Sequence, residues 1–290
     1  MTLPILDGVR DIADQYDALI LDLWGVVHNG VTPYPGVLDC LDKLRGAGKK
    51  ILLLSNAPRV SSRVKEQIAG FGIPPEAYDG VVTSGDVTRL CVELRDDDWH
   101  AALGQSFFHV GPKRDWGLLD GAGVTEVDDM TAADFVLTSG LRDDETETEA
   151  DYTDEFSQAV ARKLPMICAN PDLSVVRGDK MVLCAGSLAA HYESLGGEVR
   201  YHGKPYARAY QVCFEILDGI APQRIIAVGD SFRTDIAGAN AAGIRSLFVV
   251  GGIHGGELFE ADGGLNAEKV AAAATDAGHM PSAAIPGFYW

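Results

Sequence analysis

The sequence lacks any stretch close to the roughly 20 consecutive apolar residues that a membrane-spanning helix requires. Its N-terminus also lacks the basic start and the apolar run of a secretory signal peptide. These absences predict a cytoplasmic protein that does not insert into a membrane.

Cysteine is scarce and scattered. The 290 residues include five cysteines, and no two of them form a Cys-x-x-Cys pair. The sequence therefore indicates neither a disulfide framework nor a zinc site, and we expect five reduced thiols. They are Cys40, Cys91, Cys168, Cys184 and Cys213.

Basic residues are few: 24 lysines and arginines stand against 42 acidic residues, for a formal net charge of −18. Such a surface repels nucleic-acid phosphates and anionic lipids, so we expect neither as a partner. A small phosphorylated substrate would need a local group of cations to attract it. Hydrophobic residues make up 47% of the chain and charged residues 23%, as in globular proteins of this length with one or two domains. The oligomeric state stays open, a homo-oligomer included.

Three nearly continuous apolar runs are typical of parallel strands that are covered on both faces. They occupy residues 18–27, 50–56 and 224–230. Asp22, Ser55 and Asp230 stand towards the C-terminal ends of the strands, where doubly wound sheets bind ligands. We therefore expect these three side chains to converge.

Helices are predicted between these runs. Apolar residues recur at helical spacing in residues 36–48, and further helices are predicted at 60–71 and 206–217, with a short strand at 80–84. The alternation of strands and helices implies right-handed crossovers and predicts an α/β fold with a doubly wound parallel sheet.

The middle of the chain interrupts this alternation with further short strand-like segments at 106–110, 134–138 and 166–169. We predict a second α/β domain at residues 85–197, inserted into a first domain made of 1–84 and 198–290. The acidic segment 142–154 is interpreted as a solvated loop that leads into a helix.

Four short segments carry polar groups at predicted strand ends or helix starts. In chain order they are Asp22 to Val26, Ser55-Asn56, Gly203-Lys204-Pro205 and Val228 to Asp235. Together they resemble the four motifs of the haloacid dehalogenase (HAD) superfamily. The closest resemblance is to its subfamily IIA, which includes the NagD-like and p-nitrophenyl-phosphatase-like proteins. The resemblance implies a Rossmann-like core with an inserted α/β cap of the C2 type.

The same resemblance implies a catalytic role for Asp22, which would attack phosphorus and become an aspartyl-phosphate. Lys204 would supply positive charge, together with Mg²⁺ held by Asp22, the main-chain carbonyl of Trp24 and Asp230. Asp235 would support the metal directly or indirectly, although an exposed helix position would explain it as well.

Three further residues are implied in phosphate or substrate binding. Ser55, through its hydroxyl, and Asn56, through backbone amides, would donate hydrogen bonds to phosphoryl oxygens. Asn170-Pro171-Asp172 resembles a cap segment that faces the site, which would place Asp172 near the substrate. A simple turn is the alternative for this segment.

The sequence departs from the phosphatases of the superfamily at Trp24. Those enzymes have a second aspartate there, which protonates the leaving oxygen and later activates water. Losing such a group typically costs about 10² to 10⁴ in rate, so weak hydrolysis of unactivated esters is predicted. Trp24 would then be a stacking surface or a wedge between core and cap, and His28 is a candidate substitute acid.

The sequence therefore leaves two functions open. The motifs favour a Mg²⁺-dependent hydrolase of a small phosphorylated metabolite, whereas Trp24 favours a protein that binds such a ligand without turnover. Attack on a carbon–halogen bond is disfavoured because the cap resembles that of the phosphatases. The glycine-rich segment 251–256 lacks the spacing of a dinucleotide-binding loop, and we interpret it as a flexible loop after a strand.

Overall fold

A computed structural model describes residues 3–178, 180–253, 258–260 and 263–290. The predicted loop at 251–256 lies outside the described residues from position 254 onward. The strands of the described residues are β1 Ala18–Leu21, β2 Lys50–Ser55, β3 Gly80–Thr83, β4 Ser106–Val110, β5 Thr125–Glu126, β6 Phe135–Thr138, β7 Met166–Cys168, β8 Ser174–Arg177, β9 Lys180–Leu183, β10 Val199–Tyr201, β11 Ile225–Gly229, β12 Arg245–Val249 and β13 Ala283–Ile285.

The first sheet has six parallel strands in the order β13-β12-β11-β1-β2-β3. Strand β1 lies inside it, and all four of its residues are buried. Leu19 and Leu21 pack into the apolar core on one face of the sheet, whereas Ala18 and Ile20 pack into the core on the other face. Helices on both faces explain why the apolar run shows no alternation with polar residues.

The apolar run at 18–27 is longer than strand β1, which ends at Leu21, directly before Asp22. Gly25 turns the backbone with a positive φ of 83°, and a Cβ atom there would lie 1.9 Å from an oxygen of Asp230. Only glycine fits this turn. Asp22 and Asp230 are therefore the first residues after β1 and β11, two neighbouring strands of the sheet.

The second sheet has five parallel strands in the order β10-β7-β6-β4-β5, with apolar cores on both faces. Strands β8 and β9 form a separate antiparallel hairpin. These two parallel sheets confirm the predicted α/β fold class. The division into 1–84 with 198–290 and 85–197 stays a prediction; the pairing of β10 with β7 carries the second sheet past residue 197 to Tyr201.

The predicted helices are present with slightly shorter bounds. The α-helices of the described residues are Arg10–Ala13, Val37–Gly46, Ser61–Gly70, Ser84–Leu94, Asp98–Ala101, Thr153–Ala161, Ala185–Ser194, Ala207–Ile216, Ala237–Ala241 and Ala267–Asp276. Short 3₁₀ turns occur at Pro75–Ala77, Lys113–Asp115, Met130–Ala132, Glu149–Tyr152 and Pro222–Arg224, and Phe232–Ile236 is a π-helical turn. Among the described residues, no helix is both long and apolar enough to span a bilayer. The five cysteines are free and buried.

Candidate active site

Three of the predicted site residues meet beyond the C-terminal ends of β1 and β11. The Nζ atom of Lys204 lies 2.6 Å from Oδ1 of Asp22 and 2.8 Å from Oδ1 of Asp235. One ammonium group therefore bridges two carboxylates, and all three side chains are buried. The backbone amide of Leu23 also donates to Oδ1 of Asp22, at 2.7 Å.

Asp230 completes a group of three carboxylates. One oxygen each from Asp22, Asp230 and Asp235 lies within 4.8 Å of the other two. The amide of Ile253 donates to Oδ2 of Asp230 at 2.7 Å, and the amide of Ser231 donates to Oδ2 of Asp235 at 3.1 Å. Asp235 lies in the π-helical turn after β11, so it is a buried member of the site and not an exposed helix residue.

The charges of this carboxylate cluster do not balance. Burial raises the pKa of the Asp22 carboxyl well above its ordinary value, and the nearby carboxylates oppose the lowering effect of Lys204. Burial and Asp235 raise the pKa of Asp230 to about 7. Burial disfavours the charge of Lys204, but Asp22 and Asp235 more than offset this and raise its pKa. Three carboxylates share a single ammonium group, and this excess of negative charge makes the ionised cluster a fit for a divalent cation.

The chemistry of the ligand atoms agrees with this fit. Carboxylate oxygens are hard ligands of the kind that Mg²⁺ and Ca²⁺ prefer. Asp22, Asp230 and Asp235 are therefore the residues that could hold such an ion. The predicted contribution of the main-chain carbonyl of Trp24 stays a prediction.

Asn56 positions the backbone of Lys204. Its Oδ1 accepts from the Lys204 amide at 2.7 Å, and its Nδ2 donates to the Lys204 carbonyl at 3.1 Å. Gly203 precedes this contact with a φ of 111°, and a Cβ atom there would lie 2.5 Å from Oδ1 of Asn56. The side chain of Asn56 is thus engaged in holding the lysine loop.

The cap segment predicted to face the site does reach it. Asn56 Nδ2 also donates to Oδ1 of Asp172 at 2.9 Å, and Arg233 donates to the carbonyl of Pro171. Asp172 lines the same cavity as Asp22 and Lys204. Ser55 lines it too, and its Oγ accepts from the amide of Ala57 at 3.2 Å.

Trp24 connects the turn after β1 to the β8–β9 hairpin. Its indole Nε1 donates to the carbonyl of Val176 at 2.7 Å. Gly30 packs against the ring, since a Cβ atom there would lie 2.5 Å from Cζ2 of Trp24. These contacts support the interpretation of Trp24 as a wedge between the first sheet and the inserted segment. Trp24 also lines the cavity.

His28 lies beside Trp24 and is buried. Its Nδ1 accepts from the amide of Gly30 at 3.0 Å, and its ring contacts those of Trp24 and Phe71. Burial, with a smaller effect of Arg59, lowers the pKa of His28 to about 4. A histidine that is neutral at physiological pH and packed between aromatic rings is a poor replacement for the missing acid.

A cavity of about 960 Å³ extends from the carboxylate cluster to a group of arginines that sequence reasoning did not identify. Arg177 donates to both oxygens of Asp144, at 3.1 and 2.7 Å, and Arg114 lies 2.6 Å from the same carboxylate. Nε of Arg59 lies 3.7 Å from Oδ1 of Asp115. We call Arg59, Arg114 and Arg177 the arginine cluster. Asp144, in the segment 142–154 that we interpreted as solvated, is half-buried and engaged by two of these arginines.

The chain matches two family models. A model described as haloacid dehalogenase-like hydrolase matches residues 19–125, and a HAD-hydrolase-like model matches residues 201–277. Two curated relatives span most of the chain. The sugar-phosphatase AraL of Bacillus subtilis is 29% identical over 241 residues, which cover 81% of this chain and 83% of the relative. The ribonucleotide monophosphatase NagD of Escherichia coli is 25% identical over 240 residues, with 81% and 88% covered.

Solved structures agree. A haloacid dehalogenase-like hydrolase from Brucella suis 1330 is 35% identical, covers 98% of this chain and 99% of its own, and superposes with a TM-score of 0.84. A glycerol phosphate phosphatase from Mycobacterium tuberculosis has been solved with magnesium and with calcium. The magnesium complex is 26% identical, covers 83% of this chain and 70% of its own, and has a TM-score of 0.66. These matches confirm the resemblance inferred from the motifs: this chain belongs to the haloacid dehalogenase-like hydrolase family, in the subfamily that includes NagD.

Proposed function

We propose that this hydrolase cleaves small phosphate monoesters through an aspartyl-phosphate on Asp22, with Mg²⁺ as its cofactor. The observation that carries the proposal is the buried ammonium group of Lys204, which lies between Asp22 and Asp235 at one end of a large cavity. The relatives named as sugar, ribonucleotide and glycerol phosphate phosphatases support this class of substrate.

In the first step, a carboxylate oxygen of Asp22 forms a bond to phosphorus while the ester oxygen leaves with its bonding electrons. The donors to Asp22 lie on Oδ1, so we assign the attack to Oδ2. Lys204 stabilises the negative charge of the transferred phosphoryl group, and Ser55, which lines the same cavity, would donate from its hydroxyl. Mg²⁺ bound by Asp22, Asp230 and Asp235 would supply further positive charge to the same oxygens.

In the second step, water attacks phosphorus, and the Asp22 carboxylate leaves unchanged. The leaving oxygen of an alkyl ester takes up a proton in the first step and the attacking water gives one up in the second, and both protons exchange with solvent water. Trp24 has no group that can exchange these protons, because its indole N–H only donates. We therefore expect esters with stable leaving anions, such as p-nitrophenyl phosphate, to react much faster than alkyl phosphates. We also expect the aspartyl-phosphate to accumulate.

The arginine cluster can attract an anionic substrate to the cavity of this acidic protein. Its three guanidinium groups face two carboxylates, Asp115 and Asp144, which leaves an excess positive charge at one wall of the cavity. Such a local charge attracts an anionic ester against the net charge of the whole chain. The cavity has space for an organic group beyond the phosphate.

The test is a rate measurement with p-nitrophenyl phosphate and Mg²⁺ on the wild type and Asp22→Asn. Asparagine keeps the shape of the side chain but cannot form an acyl phosphate in this way. We expect clear turnover by the wild type and none by the variant. Equal rates, with both proteins folded, would contradict the proposal.

A second function has one observation in its favour. Trp24 takes the position of the missing acid and also bonds to Val176, which suits a protein that closes over a phosphorylated ligand without cleaving it. In that case both proteins would be silent in the rate assay and would still bind inorganic phosphate.

A further inference from the structure

Three possible metal ligands lie together where the chain crosses between the two sheets. One ligand atom from each of Cys91, His100 and His202 lies within 4.8 Å of the other two, and all three residues are buried. Cys91 and His100 belong to the helices Ser84–Leu94 and Asp98–Ala101, on the way to the second sheet. His202 follows β10, on the way back.

The hydrogen bonds of His100 determine which of its nitrogens carries a proton. Its Nδ1 lies 2.9 Å from Oδ2 of Asp97, and its backbone amide donates to Oδ1 at 2.8 Å. The Asp97 side chain is half exposed, and an aspartate in water is ionised at neutral pH, so this carboxylate can only accept. Nδ1 of His100 therefore carries the hydrogen, and in the neutral ring Nε2 carries a lone pair.

The hydrogen bonds of His202 lead to the same assignment. Its Nδ1 lies 3.1 Å from Oγ1 of Thr88, and that hydroxyl donates its single hydrogen to the carbonyl of Ser84 at 2.8 Å. Thr88 can then only accept from His202. The proton of His202 is thus on Nδ1, and its Nε2 also carries a lone pair when the ring is neutral.

The two Nε2 atoms face each other at 3.0 Å. Two lone pairs at this distance repel each other unless a cation lies between or beside them. A proton shared between the two rings is one way to meet this need. A metal ion meets it as well, and the sulfur of Cys91 in the same cluster supplies a third ligand that a shared proton would not need.

We propose that Cys91, His100 and His202 bind one transition-metal ion of the zinc class through two imidazole nitrogens and one thiolate sulfur. Zinc prefers this set of ligands, with a fourth position for water, whereas Mg²⁺ prefers oxygen. Asp97 takes the place of the carboxylate that commonly orients a zinc-bound histidine.

The charges around the site are compatible with a dication. The thiolate and Asp97 contribute two negative charges, which balance one Zn²⁺ ion. The guanidinium of Arg208 hydrogen-bonds Cys91 and also lies 2.9 Å from Asp96, which offsets its charge. An ion here would join the outgoing and returning segments of the chain, two residues before Lys204, and would thereby stabilise the base of the inserted domain.

The experiment uses the full-length chain, freed of metals and titrated with Co²⁺ and then with Zn²⁺. Cobalt bound by a thiolate gives visible bands and a sulfur-to-metal charge-transfer band. We expect one equivalent of Co²⁺ to develop these bands, zinc to displace it, and zinc to raise the thermal unfolding temperature. Absence of the charge-transfer band from the wild type overturns the proposal.

Matched variants identify the ligands. Cys91→Ser removes the charge-transfer band, whereas Cys40→Ser, at a buried cysteine elsewhere, keeps it. Asp230→Asn keeps the band too, because the carboxylate cluster is a different site. A band that persists in Cys91→Ser overturns the assignment.

A further variant remains informative if Cys91→Ser fails to fold. The side chain of Asp97 is 51% exposed, so Asp97→Asn should fold. It lowers zinc affinity by about 10- to 100-fold, as expected when the group that orients a ligand is lost. Unchanged affinity of Asp97→Asn overturns the role of His100.

Discussion

Two buried clusters of possible metal ligands differ in ligand chemistry. The carboxylate cluster of Asp22, Asp230 and Asp235 offers hard oxygen atoms beside Lys204. The cluster of Cys91, His100 and His202 offers nitrogen and sulfur, and its His202 lies two residues before that lysine. We propose that the first cluster prefers magnesium and the second prefers zinc, because ligand type favours a different metal at each.

The two clusters also differ in how the fold assembles them. Asp22 and Asp230 directly follow adjacent parallel strands, so the pairing of β1 with β11 alone brings them together. Cys91 and His202 come from two chain segments that cross between the sheets. The geometry of a site at strand ends is therefore determined by the pairing of strands within one sheet. The geometry of a site on connecting segments depends instead on how two sheets are joined.

The largest effect is expected for Asp22→Asn, which tests whether the two clusters are independent. We expect turnover of p-nitrophenyl phosphate to fall by about 10⁴-fold or more, since loss of a nucleophile removes the whole pathway. Cobalt binding at the nitrogen and sulfur cluster should not change. The two measurements are initial rates with Mg²⁺ and the cobalt spectrum of the same preparation. Loss of both properties would mean that the clusters are not independent.

A second change tests the proton exchange that Trp24 cannot perform. Trp24→Asp should raise kcat for an alkyl phosphate, because the new carboxyl group can act as a general acid. We expect an increase of up to about 10²-fold, the lower limit for such a group, since the variant also loses the contact of the indole with Val176. Trp24→Phe is the control, since it loses the same contact without gaining a carboxyl group. Equal rates for both variants would contradict the missing-acid explanation.

A third change concerns the arginine cluster. Arg177→Gln removes a guanidinium that donates twice to Asp144 and lowers the positive charge at the cavity wall. We expect KM for an anionic ester to rise about tenfold, the typical effect of one charged hydrogen bond, with a smaller change in kcat. Steady-state kinetics at low and high salt measure this effect. If KM does not change, the substrate does not use this wall.

The smallest effect is expected at His28. Burial lowers its pKa to about 4, so the ring is neutral both at pH 5 and at pH 8 and changes no charge in that range. His28→Gln should therefore leave the shape of the pH–rate profile unchanged, with kcat per folded protein within about threefold. Loss of a titration step near neutral pH in the variant would instead identify His28 as the substitute acid.

The sequence predicted the carboxylate cluster well because its signals are local. Asp22 and Asp230 follow apolar runs and Lys204 precedes a helix; each signal is weak alone, and the four segments became recognisable through their order along the chain. The end of the first strand could not be predicted from local sequence. The backbone turns at Gly25, where it packs against the carboxylate of Asp230, a residue more than 200 positions away.

The nitrogen and sulfur cluster had no such signal. His100 and His202 are 102 residues apart, and the absence of a Cys-x-x-Cys pair argued against zinc. The ion pairs of Asp144 were equally hidden, since they involve Arg114 and Arg177 from other parts of the chain. Both depend on long-range packing that no local pattern encodes.

The most direct test of the central claim is chemical trapping of the intermediate. Borohydride reduces an aspartyl-phosphate to homoserine, which mass spectrometry identifies at a single position. After reaction with p-nitrophenyl phosphate and Mg²⁺, we predict homoserine at position 22, and none when substrate or metal is left out. Turnover without any modification at position 22, or with modification of a different residue, would contradict the account.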